Sequence, residues 1–468
     1  MTQNTHDDSS YLPVCTADRL DLDCFMEGLV KRNPGENNFQ TVVRAVAQDV
    51  FLYLKDHNKC AQDQILERLT EPDRIITFRV TWQDDRGNIR ANRGWRVQYS
   101  NALGPYKGGL RFHKDVTLDD LKFLGFEQCF KNALTGLPIG GAKGGANFNP
   151  KGKSDGEIMR FCKAFMIELH RYIGPDIDIP AGDIGVGDRE ISYLFGEYKR
   201  LENKFHGVLT GKNIGFGGSM IRKEATGYGN VIFASQMLEQ HDMELKGKKC
   251  VISGAGNVAI FTAEKAITNG AKVITLSDSK GMIHDKNGLD QEKLEVIKKI
   301  KLQQNGTLES VPEHFKDIQY YKDKKPWDIA CDMAFPCATQ NELQEKDAKT
   351  LVDNGVKLVS EGANMPCTAE AIKHFYNNGV LYGPGKAANA GGVAVSALEL
   401  TQNAMRLRWS ADKVEKQLID IMSEIHDLCA QFGHEYGKTK GNRVDYKTGA
   451  NIAGFSKLAN ALSSYGVV

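Results

Sequence analysis

Lys249-Cys250-Val251-Ile252-Ser253-Gly254-Ala255-Gly256-Asn257-Val258-Ala259 is the stretch on which the fold turns. An apolar run feeds a G-x-G-x-x-A turn, and helical spacing begins at once behind it. Gly254 permits the tight turn, Gly256 lets backbone approach a pyrophosphate, and Ala259 keeps the new helix close to the strand. The helix start then offers free N–H groups and a positive dipole end to an anion. The next apolar run, Lys272–Ser277, ends at Asp278, where an acidic residue meets a ribose in such a unit. The segment therefore predicts a nicotinamide-type dinucleotide site on a Rossmann-like unit.

Outward from that turn, helix and strand alternate. Helical spacing covers Thr226–Gln240 and Asn257–Asn269, and short buried strands are expected at Cys250–Ser253, Lys272–Ser277, Ile329–Ala334 and Leu358–Glu361. Such alternation predicts a parallel, doubly wound sheet in an α/β protein. Two more helices are expected, at Ala411–Gln431 and Ile452–Leu462. Gly141-Ala142-Lys143-Gly144 and Gly385-Lys386-Ala387 lack the Ser/Thr that follows Lys in a magnesium–nucleotide loop, which disfavours ATP hydrolysis.

Upstream the pattern differs. Leu20–Leu69 is helically spaced, and Arg74–Tyr99 alternates like strands around an Asp85-Arg86-Gly87-Asn88 hairpin. Leu118–Leu134 and Asp155–Tyr172 are again helical. The glycines of Gly207–Gly218 suggest a hinge. With 468 residues the chain exceeds one ordinary core, so two domains are expected. Lys+Arg number 60 against 59 Asp+Glu, a net charge of +1, which gives no global pull toward nucleic acid. The 10 cysteines form no C-x-x-C pair, so reduced thiols are expected and no metal site. Met1–Ser10 lacks the features of a targeting leader, and no apolar run is long enough to cross a membrane. A cytoplasmic location is the expectation.

The other informative segment runs from Gly104 to Gly145. Lys107, Lys131 and Lys143 sit on or beside glycine-rich backbone, and Asp183 follows in Pro180-Ala181-Gly182-Asp183-Ile184-Gly185. Glycines expose N–H groups to carboxylates. Crowded, buried lysines lose protons more readily, so one can serve as an acid near neutral pH, with Asp183 as proton acceptor. The bland alternative is that such lysines are solvated on surface loops.

The runs GPYKGGLRFH, LGFEQCFKNALTGLPIGGAKGG, PAGDIGVG, EATGYG, GAGNVA, EGANMP, GKAANAGGVAVSALE and GANIAGF together resemble the glutamate dehydrogenase family in its small hexameric form. The resemblance implies a substrate-binding and oligomerisation domain with a mixed sheet over 1–218 and 440–468, and a Rossmann-like dinucleotide-binding domain over 219–439. It implies that Lys107 and Ser396 hold the side-chain carboxylate of L-glutamate. Gln128 and Lys131 would hold the α-carboxylate, and Gly182 would touch substrate through its backbone. Lys143 would polarise the attacking water, and Asp183 would shuttle the amine proton. Thr226, Gly254, Gly256, Asn257, Val258, Ser277, Asp278, Lys280 and Asn389 would meet the cofactor. The products would be 2-oxoglutarate and ammonium, and the assembly a homohexamer. A carboxylate at Asp278 repels a phosphate and favours NAD, yet Leu276–Gly281 resembles the NADP-dependent members, with Lys280 able to offset the charge. NADP is the expectation and NAD the alternative. Lys223, Asp188 and Asn149 depart from the family pattern beside its motifs, which bears on local loops. A related amino acid dehydrogenase with another substrate, and a silent regulatory homologue, are the competing readings.

Overall fold

The computed structural model describes residues 21–304, 306–437 and 443–467. The domain boundary expected at 439/440, Leu20 and the polar N-terminus lie outside these residues.

Two sheets organise the chain. The first holds β1 (Arg74–Gln83), β2 (Ile89–Ser100), β3 (Tyr106–Phe112), β4 (Gly141–Ala146) and β5 (Asp178–Gly182), in the order β1-β2-β4-β3-β5. β1 and β2 form the expected antiparallel hairpin, with Gly87 at φ 81° in its turn. β2 pairs antiparallel with β4, while β4, β3 and β5 run parallel, so the sheet is mixed. Alternating side chains feed two cores. Trp95, Val97 and Tyr99 join the layer of helices Asn37–Leu54 and Leu118–Leu134, whereas Val80, Trp82, Leu110 and Phe112 face helices Asp155–Leu169 and Asp188–Glu202.

The second domain begins with β6 (Lys249–Ile252) and β7 (Lys272–Val273). β8 (Thr275–Asp278), β9 (Gly281–Asp285) and β10 (Ile318–Lys322) make a small antiparallel sheet. β11 (Met333–Phe335), β12 (Leu358–Ser360) and β13 (Leu381–Gly383) complete the main sheet, which is parallel throughout in the order β13-β12-β11-β6-β7. Cys250, Ile252, Met333 and Phe335 point to one core, and Val251, Ala334, Val359 and Tyr382 to the other. Helices therefore cover both faces, as a doubly wound sheet requires. Winding reverses between β6 and β11, so the crevice for ligand opens past their carboxyl ends.

Three expected elements differ in detail. The run Lys272–Ser277 is broken at Ile274, whose N–H donates to Cys250 O at 2.9 Å. Residues before it pair with β6, and those after it turn away to pair with β9. Ile329–Ala334 is strand only from Met333, because a one-turn 3-10 helix at Pro326–Asp328 precedes it and Asp332 caps the start of β6, accepting from Lys249 N–H at 2.8 Å. The final helix spans Tyr446–Tyr465, longer than Ile452–Leu462, and Ile452, Phe455, Leu458 and Ala459 bury in the core of the first domain. Among the described residues no helix is long and apolar enough to cross a membrane.

Candidate active site

The glycine-rich stretches that carry Lys107 and Lys143 are strands in the first sheet, and Lys131 stands on the helix Leu118–Leu134. β4 is buried at every position, and β3 nearly so. Its glycines serve close packing: a Cβ on Gly108 would lie 1.6 Å from Ala142 O. Lys107 on β3 and Lys143 on β4 are 1% and 4% exposed, which removes the solvated-surface reading. Asn132 pins the helix Leu118–Leu134 over these strands by donating to Lys107 O at 3.1 Å. It also accepts from Gln128 Nε2 at 2.7 Å, so helix and strand hold Gln128 in place.

A cleft of about 1120 Å³ lies beside these strands. Lys107, Gln128, Lys131, Lys143, Gly182, Asp183, Thr226, Asn257, Val258, Asn389 and Ser396 all line it. Asp183 follows β5, and its Oδ2 receives both Arg111 Nε at 2.8 Å and Lys143 Nζ at 3.1 Å. Burial alone would push the Asp183 carboxyl up, but Lys143 and Arg111 overcome it and hold it at about 2. Burial pulls Lys143 below the usual lysine range, opposed by Asp183. Lys131, desolvated in the cleft and repelled by Lys143, is lowered to about 8. Lys107 is driven well below its ordinary value by burial and then by Arg222, and it donates to Thr210 Oγ1 at 2.7 Å.

Three buried polar atoms in this cleft have no protein partner among the described residues: Ser396 Oγ, Asn389 Oδ1 and Arg222 Nε. Buried polar groups are almost always satisfied, so three orphans in one cleft mark a place made for a polar ligand. Asn389 is aimed by its amide nitrogen, which donates to Ala363 O and to Asn364 Oδ1, both at 3.0 Å.

Gly254 and Gly256 form the turn after β6 as expected. Gly254 takes φ +88°, and a Cβ there would meet Cys337 O at 3.0 Å, while Gly256 faces open space. The helix Asn257–Thr268 starts there, with Asn257 and Val258 in the cleft. This glycine turn, the free helix start and the orphan Asn389 carboxamide oxygen together suit a dinucleotide carrying a nicotinamide. Ser277 steadies the turn by accepting from Gly254 N–H at 3.0 Å. Asp278 is already engaged: Oδ2 accepts from Lys301 Nζ at 2.9 Å and Leu308 N–H at 3.0 Å, and Oδ1 from Lys280 N–H at 3.0 Å. Burial raises this carboxyl, yet these donors leave it below its ordinary value. The side chain that offsets Asp278 is thus Lys301, and Lys280 contributes its backbone. Ser277, Asp278 and Lys280 lie outside the lining of the main cleft.

Arg111, Thr210, Arg222, Asn364 and Lys301 escaped the sequence reading. Arg111 lies inside the run GPYKGGLRFH, on the face of its strand that also carries Lys107 and Gly109, which was its signal. Arg222 lies in an irregular strap before the helix Ala225–Glu239, where no periodicity marks it. Two departures from the family pattern find each other: Lys223 Nζ lies 2.5 Å from Asp188 Oδ2 at the rim of the cleft.

Lys143 and Arg111 on the Asp183 carboxylate, in one molecule with a glycine turn of the dinucleotide-binding kind, suit an oxidoreductase of the amino acid dehydrogenase type, and the sequence comparisons agree. The chain belongs to the Glu/Leu/Phe/Val dehydrogenase family: the Glutamate/Leucine/Phenylalanine/Valine dehydrogenase profile matches residues 217–466, and the Glu/Leu/Phe/Val dehydrogenase, dimerisation domain profile matches 72–200. The chain is 54% identical to the NADP-specific glutamate dehydrogenase of Psychrobacter sp. (strain TAD1), over 95% of this chain and 98% of that one. It is 50% identical to the NAD-specific glutamate dehydrogenase of Bacteroides fragilis (strain YCH46), over 96% and 100%. Its fold superposes on the crystal structure of Plasmodium falciparum glutamate dehydrogenase with a TM-score of 0.94 at 46% identity, covering 97% of this chain and 96% of that one.

Proposed function

We propose that the chain is a glutamate dehydrogenase that interconverts L-glutamate with 2-oxoglutarate and ammonium, uses NADP, and works mainly in the aminating direction. One observation carries the substrate assignment. Two lysines line the cleft in different electrostatic surroundings: Lys107 feels chiefly Arg222, Glu399, Arg96 and Lys212, and Lys131 feels Lys143, Glu127, Asp183 and Lys386. A dicarboxylate offers one charge to each. A substrate with an apolar side chain would leave the Ser396 hydroxyl buried without a partner and the Lys107 ammonium with Thr210 Oγ1 but no counter-charge, at a cost of several kcal/mol (~3).

In this reading Lys107 and Ser396 take the distal carboxylate, and Gln128 and Lys131 take the α-carboxylate. Gly182 lies against the substrate by its backbone. Lys143, within reach of Asp183 and depressed by burial, takes the proton of the attacking water and returns it in the reverse direction. Asp183 accepts the proton of the amine. A bound nicotinamide would supply the hydride for amination and accept it in the reverse direction; Gly254, Gly256, Asn257, Val258, Thr226 and Asn389 would hold its dinucleotide, with Ser277, Asp278 and Lys280 on the ribose side. NADP is favoured because Lys301 neutralises the Asp278 carboxylate, which weakens its repulsion of a phosphate. The domain assignment of 1–218 with 440–468 and of 219–439 belongs to the same reading. So do a homohexamer, a cytoplasmic location and a role in ammonia assimilation. Assembly through the first sheet is supported by β1, an edge strand beside which Ile75 and Ile89 are exposed.

The test is ammonium-dependent oxidation of NADPH and of NADH by the purified chain, with 2-oxoglutarate and with 2-oxoisocaproate. The expected result is a fast rate with NADPH and 2-oxoglutarate. No ammonium-dependent rate would sink the assignment, a faster rate with NADH would move the cofactor to NAD, and equal use of 2-oxoisocaproate would favour a sister dehydrogenase.

A further inference from the structure

Lys386 belongs to the one-turn helix Gly385–Ala388, which ends at Asn389. Its ammonium reaches away from that turn to the other domain. Nζ donates to Glu127 Oε1 at 3.0 Å and to Asn451 Oδ1, and lies 5.4 Å from the ring centroid of Phe130. Glu127 directly precedes Gln128, and Lys131 follows one turn later on the same helix. The ion pair therefore joins the turn that carries Asn389 to the helix that carries the proposed α-carboxylate anchors.

Both ends of this link are fixed. On the near side, Gly385 N–H donates to Glu361 Oε2 at 2.8 Å, and Cys367 N–H to Glu361 Oε1 at 3.2 Å. On the far side, Asn451 Nδ2 donates to Asp49 Oδ2 at 2.6 Å, and Lys447 Nζ reaches the same oxygen at 2.7 Å. The Lys386 and Glu127 side chains are 11% and 16% exposed, so the pair is shielded from solvent. Lys386 lines a second cavity of about 1070 Å³, which shares Gln128, Lys131 and Lys143 with the cleft. It has no part in the chemistry proposed above.

We propose that Lys386, acting through Glu127, is a positioning residue that sets the separation between a nicotinamide held at Asn389 and an amino acid held at Gln128 and Lys131. The proposal rests on the glutamate dehydrogenase reading. Hydride transfer depends steeply on reach, and a misplacement of ~1 Å from outside the reacting groups can cost about 100-fold in rate. A merely structural ion pair would lower the melting temperature and leave the transfer step alone.

The experiment uses the full-length chain with Lys386→Met, Glu127→Gln, the double variant and Lys386→Arg, assayed with glutamate and with C2-deuterated glutamate. Each charge-removing single variant is expected to lose about tenfold in kcat, with KM for glutamate changed less than about threefold, the split that marks a loss felt in the transition state. The deuterium isotope effect on kcat should rise as hydride transfer becomes limiting. The double variant should be no slower than the slower single one, because both remove the same link, and Lys386→Arg should keep at least a third of kcat. Unchanged kcat and isotope effect in Lys386→Met and Glu127→Gln would overturn the proposal, as would additive losses in the double variant. Should Lys386→Met fail to fold, Glu127→Gln decides alone. A parent chain inactive on glutamate would remove the functional reading and this proposal with it, whereas an active parent with indifferent variants would remove only the proposal.

Discussion

Lys107 and Lys131 are both lysines in the cleft, yet they answer to different surroundings. Lys107 is 1% exposed and lines the same cleft as the unpartnered Ser396 hydroxyl. Replacing it with Met should lower kcat/KM for glutamate by about 100-fold, the equivalent of breaking a buried charge pair, while activity on norvaline should fall far less. Steady-state kinetics on both substrates checks this, and equal losses would contradict the assignment. Desolvation in the cleft pulls the Lys131 ammonium down to about 8 in the free protein. Lys131 must be protonated to hold a carboxylate, so its deprotonation should add a limb above that pH along which kcat/KM for glutamate falls, approaching tenfold per unit. A pH profile of Lys131→Gln should lack that limb. The lysines were legible in the sequence because they stand in a dense run of motifs. Arg222 and Asn364 were not, because each reaches the site from an irregular segment whose position depends on the tertiary fold, and Lys301 was not, because it stands in the helical turn Lys299–Gln303, more than twenty residues from Asp278 in sequence.

At the scale of elements, glycine was the harder residue to interpret. In Gly254 it signals a turn, which the flanking strand and helix made plain. In Gly108, Gly141 and Gly144 the same residue lies in the middle of a buried sheet, where it admits neighbouring backbone. Sequence pattern alone suggested loops there, since strands are usually recognised by the β-branched and aromatic residues that these positions lack. Helix crossings use glycine too. A Cβ on Gly391 would come 2.2 Å from Ala225 O, where the helices Ala225–Glu239 and Gly391–Met405 meet. Gly391→Ala should therefore destabilise the chain by about 2 kcal/mol, the usual cost of overpacking, and disturb Thr226 and Ser396 together. Thermal melting and KM for both substrates would show it; a variant as stable as the parent would mean that the crossing relaxes freely. The long helices and the alternation of the second domain were legible because their apolar spacing is strong. The break at Ile274 was not, since the residues on both sides are equally apolar and only the choice of partner strand separates them.

Over the whole molecule, the chain leaves the first domain, builds the second and returns. The helix Tyr446–Tyr465 puts Ile452 and Phe455 into the first core, while Val444, Tyr446 and Ala450 bury against the second. That return joins sequence-distant segments, so composition and local periodicity could not place it. It also means the two domains unfold as coupled bodies. Removing the chain from 446 onward should abolish the cooperative melt of both, which calorimetry would detect; two retained transitions would refute it. Further out, Asp188 and Lys223 bridge the rim of the cleft, both about half exposed. An exposed pair contributes under about 1 kcal/mol and fades with salt. Its consequence is hereditary more than energetic. The ion pair ties the two positions into one unit of change. A charge exchange, Asp188→Lys with Lys223→Asp, should restore at low ionic strength what each single substitution disturbs, and lineages that lose one partner should be found to have lost the other.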